Sequence, residues 1–198
     1  GLGLNEINET GCAWVVLNWQ MKIIRRPAYN DELTVYTWST SADKLFAERD
    51  FRITDKNGET IVIATSRWLY MDINRRRPVR ITPEIMDRYE SEPETHVFTE
   101  KVNRIDPPDT GYIEIPYNIL RRDVDYLGHM HNISYLDAAY DVMPEEYFNG
   151  PQFNFVSIEY RKELLRNDEV KAHFYKIDKG CIISLNTDKI NAVIMLKY

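Results

Sequence analysis

Between residues 13 and 71 the apolar positions alternate with polar ones or fall in short runs, and Val, Ile, Thr, Trp, Tyr and Phe dominate them. That spacing predicts strands rather than helices. The segments are 13–24, 33–40, 46–54 and 60–71, with a turn at Pro27-Ala28-Tyr29-Asn30-Asp31. A hairpin is expected at Asp55-Lys56-Asn57-Gly58, where the Asn-Gly step supplies the positive φ angles of a tight turn. Residues 74–110 break the pattern with Pro78, Pro83, Pro93, Pro107, Pro108 and many charges, and read as a linker with one short helix over 83–89. Strand character returns at 112–120, 153–164, 169–177, 181–186 and 192–197. Between the first two of these, Ile133, Leu136, Tyr140, Met143 and Tyr147 follow steps of three and four, which predicts a helix with one buried apolar face. Pro144 should end or kink it.

The strand pattern repeats. Asn30-Asp31-Glu32-Leu33 aligns with Asn167-Asp168-Glu169-Val170 at an offset of 137 and superposes strand, turn and strand on both sides. Two copies of one unit are expected, the second consisting of a strand, a long helix and an antiparallel sheet. The same offset puts the counterpart of the strand at Tyr112 ahead of residue 1, so the first copy is expected to lack a leading strand and helix in this sequence.

Composition narrows the function classes. The 198 residues are 43% hydrophobic and 28% charged, enough apolar material to bury a core and unlike a disordered tail. Lys plus Arg number 25 against 31 Asp plus Glu, and a net charge of −6 argues against reliance on bulk attraction to nucleic acid. Cys12 and Cys181 are too few for a disulfide framework or a four-thiolate zinc site, which favours a reducing, cytoplasmic setting. No run approaches the roughly 20 apolar residues that span a bilayer, so no membrane partner is expected. Gly-x-Ser-x-Gly, Walker A and dinucleotide fingerprints are absent from the sequence.

The candidate chemistry lies at residues 123–136, Asp-Val-Asp-Tyr-Leu-Gly-His-Met-His-Asn-Ile-Ser-Tyr-Leu, between a strand and the start of the predicted helix. Unpaired N–H groups and the positive end of a helix dipole at that place favour a developing oxyanion. Gly128 should permit close backbone approach, while Asp125 and His129 offer a carboxylate and an imidazole for proton transfer. An Asp ahead of a helix is more commonly a turn residue, and Asn132 is as well placed to cap the helix as to touch a substrate. His129 and His131 at i, i+2 are too few for a metal site, His96 and His173 lack ligand spacing, and no metal is expected. Arg75, Arg76, Arg77 and Arg80 form the densest positive cluster of an acidic chain, which Arg121-Arg122 and Arg161-Lys162 could extend.

Asp125-x-x-Gly128-His129-Met130-x-Asn132-x-x-Tyr135-Leu136 resembles the active-site signature of hotdog-fold thioesterases. Trp68-x-x-Met71-x-x-Asn74-Arg75-Arg76-Arg77 and Ile158-Glu159-Tyr160-Arg161-Lys162-Glu163 are similar to segments of the acyl-ACP thioesterases, the double-hotdog enzymes of fatty-acid synthesis. The resemblance implies an α+β double hotdog, each unit a curved antiparallel sheet around a central helix. It divides the chain into an N-terminal hotdog repeat at 1–73, a linker at 74–110 and a C-terminal repeat at 111–198. It implies Asp125, His129 and Glu163 as catalytic residues, Asp125 or Glu163 activating water, with Leu127 standing where plant-type relatives have Asn. Gly128, Met130, Asn132, Tyr135, Arg75, Arg76 and Arg77 fall to substrate binding, the arginines toward acidic acyl carrier protein or its phosphopantetheine phosphate. The implied activity is acyl-ACP hydrolysis to free fatty acid without metal or organic cofactor, by a monomer or homodimer. Acyl-CoA hydrolysis and non-catalytic acyl binding are the alternatives.

Overall fold

A computed structural model describes residues 7, 9–99, 102–126 and 128–198. The chain divides into two compact units, Gly1–Val102 and Asn103–Tyr198, and the proline-rich stretch runs across their boundary.

In the first unit β1 (Cys12–Ile23), β2 (Leu33–Ala42), β3 (Phe46–Asp55) and β4 (Thr60–Asp72) pair antiparallel in the spatial order β2-β3-β4-β1. A short β5 (Arg77–Pro78) returns along the end of β4. Each long strand lies within two residues of the segment that the alternation predicts. Helix α1 (Pro83–Asp87) is shorter than expected, with Pro83 in its first turn after Thr82. The β3–β4 hairpin forms where expected, but of its two central candidates only Gly58 takes a positive φ, of 81°. The Asp55 carboxylate holds the rest of the turn by accepting the amides of Asn57 and Glu59 at 2.9 and 3.1 Å.

The second unit opens with β6 (Tyr112–Tyr117) and a 3₁₀ turn at Arg121–Asp123, followed by α2 (Ser134–Asp141) and α3 (Glu145–Phe148). Then come β7 (Phe155–Tyr160), β8 (Val170–Ile177), β9 (Gly180–Asn186) and β10 (Ile190–Lys197), in the antiparallel order β7-β10-β9-β8-β6. The segment β7-β10-β9-β8 reproduces β1-β4-β3-β2 of the first unit, so the internal repeat is a repeat of strand order. Every residue of β9 is buried, and neighbours flank it on both edges.

The helix departs from its predicted face. Tyr135, Ala138, Ala139, Val142 and Met143 are buried, whereas Ile133 is 63% exposed. The buried stripe is thus set about one position away from the one traced by the largest apolar side chains. Alanines at 0% exposure let α2 lie close to β10, and small side chains at the contact outweigh the bulk of Ile133. Pro144 stands before α3, so the predicted single helix is two, as its missing N–H and ring sterics require.

The β8–β9 hairpin supplies a sharp test of this packing. Gly180 adopts φ +156°, and a β-carbon there would collide with the Leu196 carbonyl oxygen of β10. Backbone cannot yield as a flexible side chain would, so Gly180→Ala is expected to lower stability by about 1–3 kcal/mol in urea unfolding.

Candidate active site

The loop after the 3₁₀ turn folds back on itself as a small hairpin. Val124 bridges Met130, the Asp125 amide donates to the His129 carbonyl at 2.8 Å, and the Gly128 amide donates to the Asp125 carbonyl at 3.1 Å. Gly128 sits at φ +85°, a conformation that other residues enter only at a cost. An added β-carbon would meet nothing within 4 Å, so the glycine serves this turn's dihedral rather than the close backbone approach expected of it. Asp123, buried beneath the loop, accepts the Leu120 amide at 2.7 Å through its carboxylate and the His131 amide at 2.6 Å through its carbonyl.

The loop is stitched to the chain just beyond β7. Met130 donates to the Leu164 carbonyl at 2.7 Å and His129 bridges Leu165. These bonds bring Glu163 to the loop, and its Oε2 lies 3.5 Å from Nε2 of His129, each side chain about one-third exposed. Glu163 therefore sits past the end of β7 rather than within a strand. Asp125 joins the group through the main chain, its Oδ1 accepting the His129 amide at 3.1 Å. It performs the turn role of a loop Asp and stands beside His129 at once.

The donors expected to be unpaired are largely occupied. Besides the amides of Gly128, His129, Met130 and His131, those of Ile133 and Ser134 are satisfied by His131, through its Nδ1 at 3.3 Å and its carbonyl at 2.8 Å. His131 thus caps the turn into α2, and Asn132 does not act as the cap, since the N-cap position falls on Ile133. Asn132 is exposed, and its carbonyl accepts the Tyr160 hydroxyl at 2.9 Å.

Met130 and Tyr135 are both 3% exposed and lie beneath the site rather than at its mouth. The Tyr135 hydroxyl accepts the Leu164 amide at 3.2 Å, and its ring meets Tyr160 edge-on at 5.1 Å. Burial, the dominant cause, pushes the Tyr135 phenol up to about 12. Leu127 lies outside the described residues. Arg75, Arg76 and Arg77 belong to the first unit, on the exposed turn from β4 to β5, where Asp72 accepts the Arg75 amide at 2.9 Å. Arg161 does not extend a basic surface. Its side chain is 17% exposed and is held by Glu159 at 3.1 Å, the Ile105 carbonyl at 2.6 Å and Asp106 at 3.2 Å.

Two cavities of about 130 and 310 Å³ open in the first unit, and none of the residues assigned to chemistry or binding lines either. The smaller is bounded by Trp14, Trp68, Met86 and Tyr89, and the larger is polar, with Glu48, Asp50, Arg67 and His96. Sequence reasoning missed Tyr160 and the fully buried Asn191. The signal for the second was a lone polar side chain inside the apolar run Ile190 to Leu196.

Known proteins frame this geometry. Residues 1–89 match the family model described as acyl-ACP thioesterase N-terminal domain, and residues 108–195 match the acyl-ACP thioesterase C-terminal domain. The chain is 27% identical over 168 residues to oleoyl-acyl carrier protein thioesterase 2, chloroplastic, of Arabidopsis thaliana, covering 79% of this chain and 46% of that protein. It is 25% identical over 173 residues to the palmitoyl-acyl carrier protein thioesterase of the same plant, covering 84% and 42%. The chain thus spans about half the length of the curated relatives it matches. Among solved structures, an acyl-ACP thioesterase from Bacteroides thetaiotaomicron aligns with a TM-score of 0.82 at 22% identity, covering all of this chain and 81% of the other. A 12:0-ACP thioesterase from Umbellularia californica aligns at 0.81 and 18% identity, covering 97% and 77%. These likenesses establish an α+β double-hotdog fold.

The buried phenol gives the site a stability signature. Tyr135 binds its proton up to about pH 12 when folded but only to about pH 10 when unfolded, so its contribution is whole below pH 10 and lost as pH rises toward 12. Tyr117 and Cys181, both raised to about 12 chiefly by burial, act in the same direction. The thermal midpoint is expected to fall progressively from pH 9 to pH 12, and Tyr135→Phe should reduce that fall. At neutral pH the same variant should cost about 1–3 kcal/mol in urea unfolding, because the Leu164 amide loses its acceptor.

Proposed function

The chain belongs to the acyl-ACP thioesterase family, and from that premise we propose that it hydrolyses acyl groups from acyl carrier protein to free fatty acid. The observation that carries the reading is the contact of Glu163 with His129 at 3.5 Å, on a loop that Asp125 anchors. A carboxylate and an imidazole in contact at a partly exposed position suit general-base activation of water.

The two carboxylates divide the work. Asp125 places an oxygen on the His129 amide and so fixes the loop, while Glu163 faces the imidazole ring. In this reading Glu163 takes a proton from water as the water oxygen attacks the thioester carbonyl carbon. His129, in contact with that carboxylate, orients it toward a water at the exposed edge of the pair. The tetrahedral intermediate then collapses, the C–S bond breaks, and the departing phosphopantetheine thiolate takes the proton back. The N-terminal end of α2, reached directly from the loop, contributes positive potential to the oxyanion. Gly128 and Asn132 border the approach, and Met130 and Tyr135 support it from below.

The carrier protein is acidic, and the exposed Arg75, Arg76 and Arg77 turn is the proposed place where it is steered. A cytoplasmic setting fits the two cysteines, which form no disulfide. Among the described residues no helix is long and apolar enough to cross a membrane.

Hydrolysis of palmitoyl-ACP and palmitoyl-CoA, compared at matched concentration, tests the reading. The carrier-bound substrate is expected to be preferred, and hydrolysis of neither would overturn the assignment. Glu163→Gln should lower kcat by about two orders of magnitude or more. Asp125→Asn keeps an oxygen that can accept the His129 amide and should lose less; the opposite ranking would make Asp125 the base. Reversing the charges of Arg75, Arg76 and Arg77 should raise KM for the carrier substrate and flatten its salt dependence, leaving kcat for the CoA substrate unchanged.

A further inference from the structure

Asn191 is 0% exposed within a strand whose other members are chiefly aliphatic. A buried amide is costly unless its hydrogen bonds are made, and those of Asn191 are. Its Oδ1 accepts the amide and the hydroxyl of Thr187, both at 2.9 Å, and its Nδ2 donates to the carbonyl of Glu163 at 3.1 Å. Its own carbonyl accepts the amides of Arg161 and Lys162 at 2.8 and 3.0 Å. The β7–β10 ladder ends at the pair of Ala192 with Tyr160, and the β9–β10 register skips Asn191 as a bulge. Asn191 therefore takes hold of the chain at the point where β7 leaves the sheet and turns toward Glu163.

The first unit shows which part of this is scaffold. There the β1–β4 ladder ends at Ile23 with Val62, the register skips Ile61, and the Ile61 carbonyl accepts the amides of Ile24 and Arg25 at 2.8 and 3.1 Å. The bulge and the doubly accepting carbonyl are common to both units. At the equivalent place the first unit has a buried isoleucine, so the fold does not require an amide side chain there.

We infer that Asn191 is a positioning residue that fixes the main chain of Glu163 so that its carboxylate meets His129. The clamp is two-sided, with Asn191 holding 161–163 and the Tyr135 hydroxyl holding the next amide, Leu164. The inference rests on the reading of Glu163 as the general base.

The test uses Asn191→Ile, which installs the first unit's own residue, and Asn191→Asp, which keeps the acceptor for Thr187 but removes the donor to Glu163. Each is combined with Glu163→Ala in the full chain and assayed on palmitoyl-ACP, with the unfolding midpoint and the NMR resonances of the His129 ring measured in parallel. Both single variants should lower kcat by about ten- to a hundredfold with KM little changed, the scale of a small misplacement of a reacting group. Neither should reduce activity further in the Glu163→Ala background, and the His129 ring resonances should shift as they do in Glu163→Ala. Normal turnover, or losses that multiply with that of Glu163→Ala, would overturn the inference. If the wild-type chain hydrolyses neither carrier nor CoA substrate, the thioesterase reading fails, and the His129 resonances alone decide. A shift matching Glu163→Ala then upholds the positioning role, and unmoved resonances refute it. Should one variant not fold, the other carries the same readouts, and failure of both to fold would make Asn191 a structural residue and refute the inference.

Discussion

The hydrogen bond from Met130 to the carbonyl of Leu164, 2.7 Å long and buried, is the constraint on which the site depends. It joins two segments about 34 residues apart in sequence, one carrying Asp125 and His129, the other Glu163. With the His129–Leu165 bridge beside it, the loop becomes in effect a short additional strand along the chain leaving β7. Side chains on such paired backbone are placed far more closely than side chains on two independent loops would be. The energetic gain of one such bond is modest, but its absence would leave buried polar groups unmatched on both segments.

Why the strands were legible and the helix less so follows from what each pattern measures. Alternation along a strand reports which face is buried, and it identified the long strands of both units but not the two-residue β5, which lies in the segment read as a linker. Helical spacing reports where large apolar side chains recur, and in 133–147 only Met143 of that stripe is among the buried residues. Ala138 and Ala139 form the buried surface because closeness of approach to β10 matters more there than side-chain bulk. Strand ends were less legible where tertiary contacts terminate them. The segment 153–164 reads as continuous strand, yet pairing stops at Tyr160, because Asn191 and the loop take the next donors and acceptors.

The site was legible in its residues more than in its bonds. Asp125, Gly128, His129 and Glu163 stand out in sequence, and the structure brings Asp125 to the main-chain amide of His129 and Glu163 to its ring. What the sequence could not show was how the polar groups are shared out. The amides taken for oxyanion donors are spent on holding the loop, the capping role passes from Asn132 to His131, and Arg161 turns inward to secure Glu159 and Ile105. Each is a decision between local and long-range partners, and hydrogen-bonding capacity alone does not reveal which partner wins.

Comparing the two units separates what the fold needs from what the chemistry needs. Both sheets share a strand order, both contain a bulge at the same place, and in both the bulged residue's carbonyl caps two amides of the departing strand. Geometry of this kind is a property of the architecture, indifferent to whether Ile61 or Asn191 occupies it. An isoleucine there contributes apolar burial and carries no polar group to satisfy, which makes it the cheaper choice for stability alone. The second unit carries the asparagine and meets its cost with Thr187 and Glu163. That expense falls in the unit that bears the carboxylate–imidazole contact, as expected when a functional site is grafted onto a repeated scaffold.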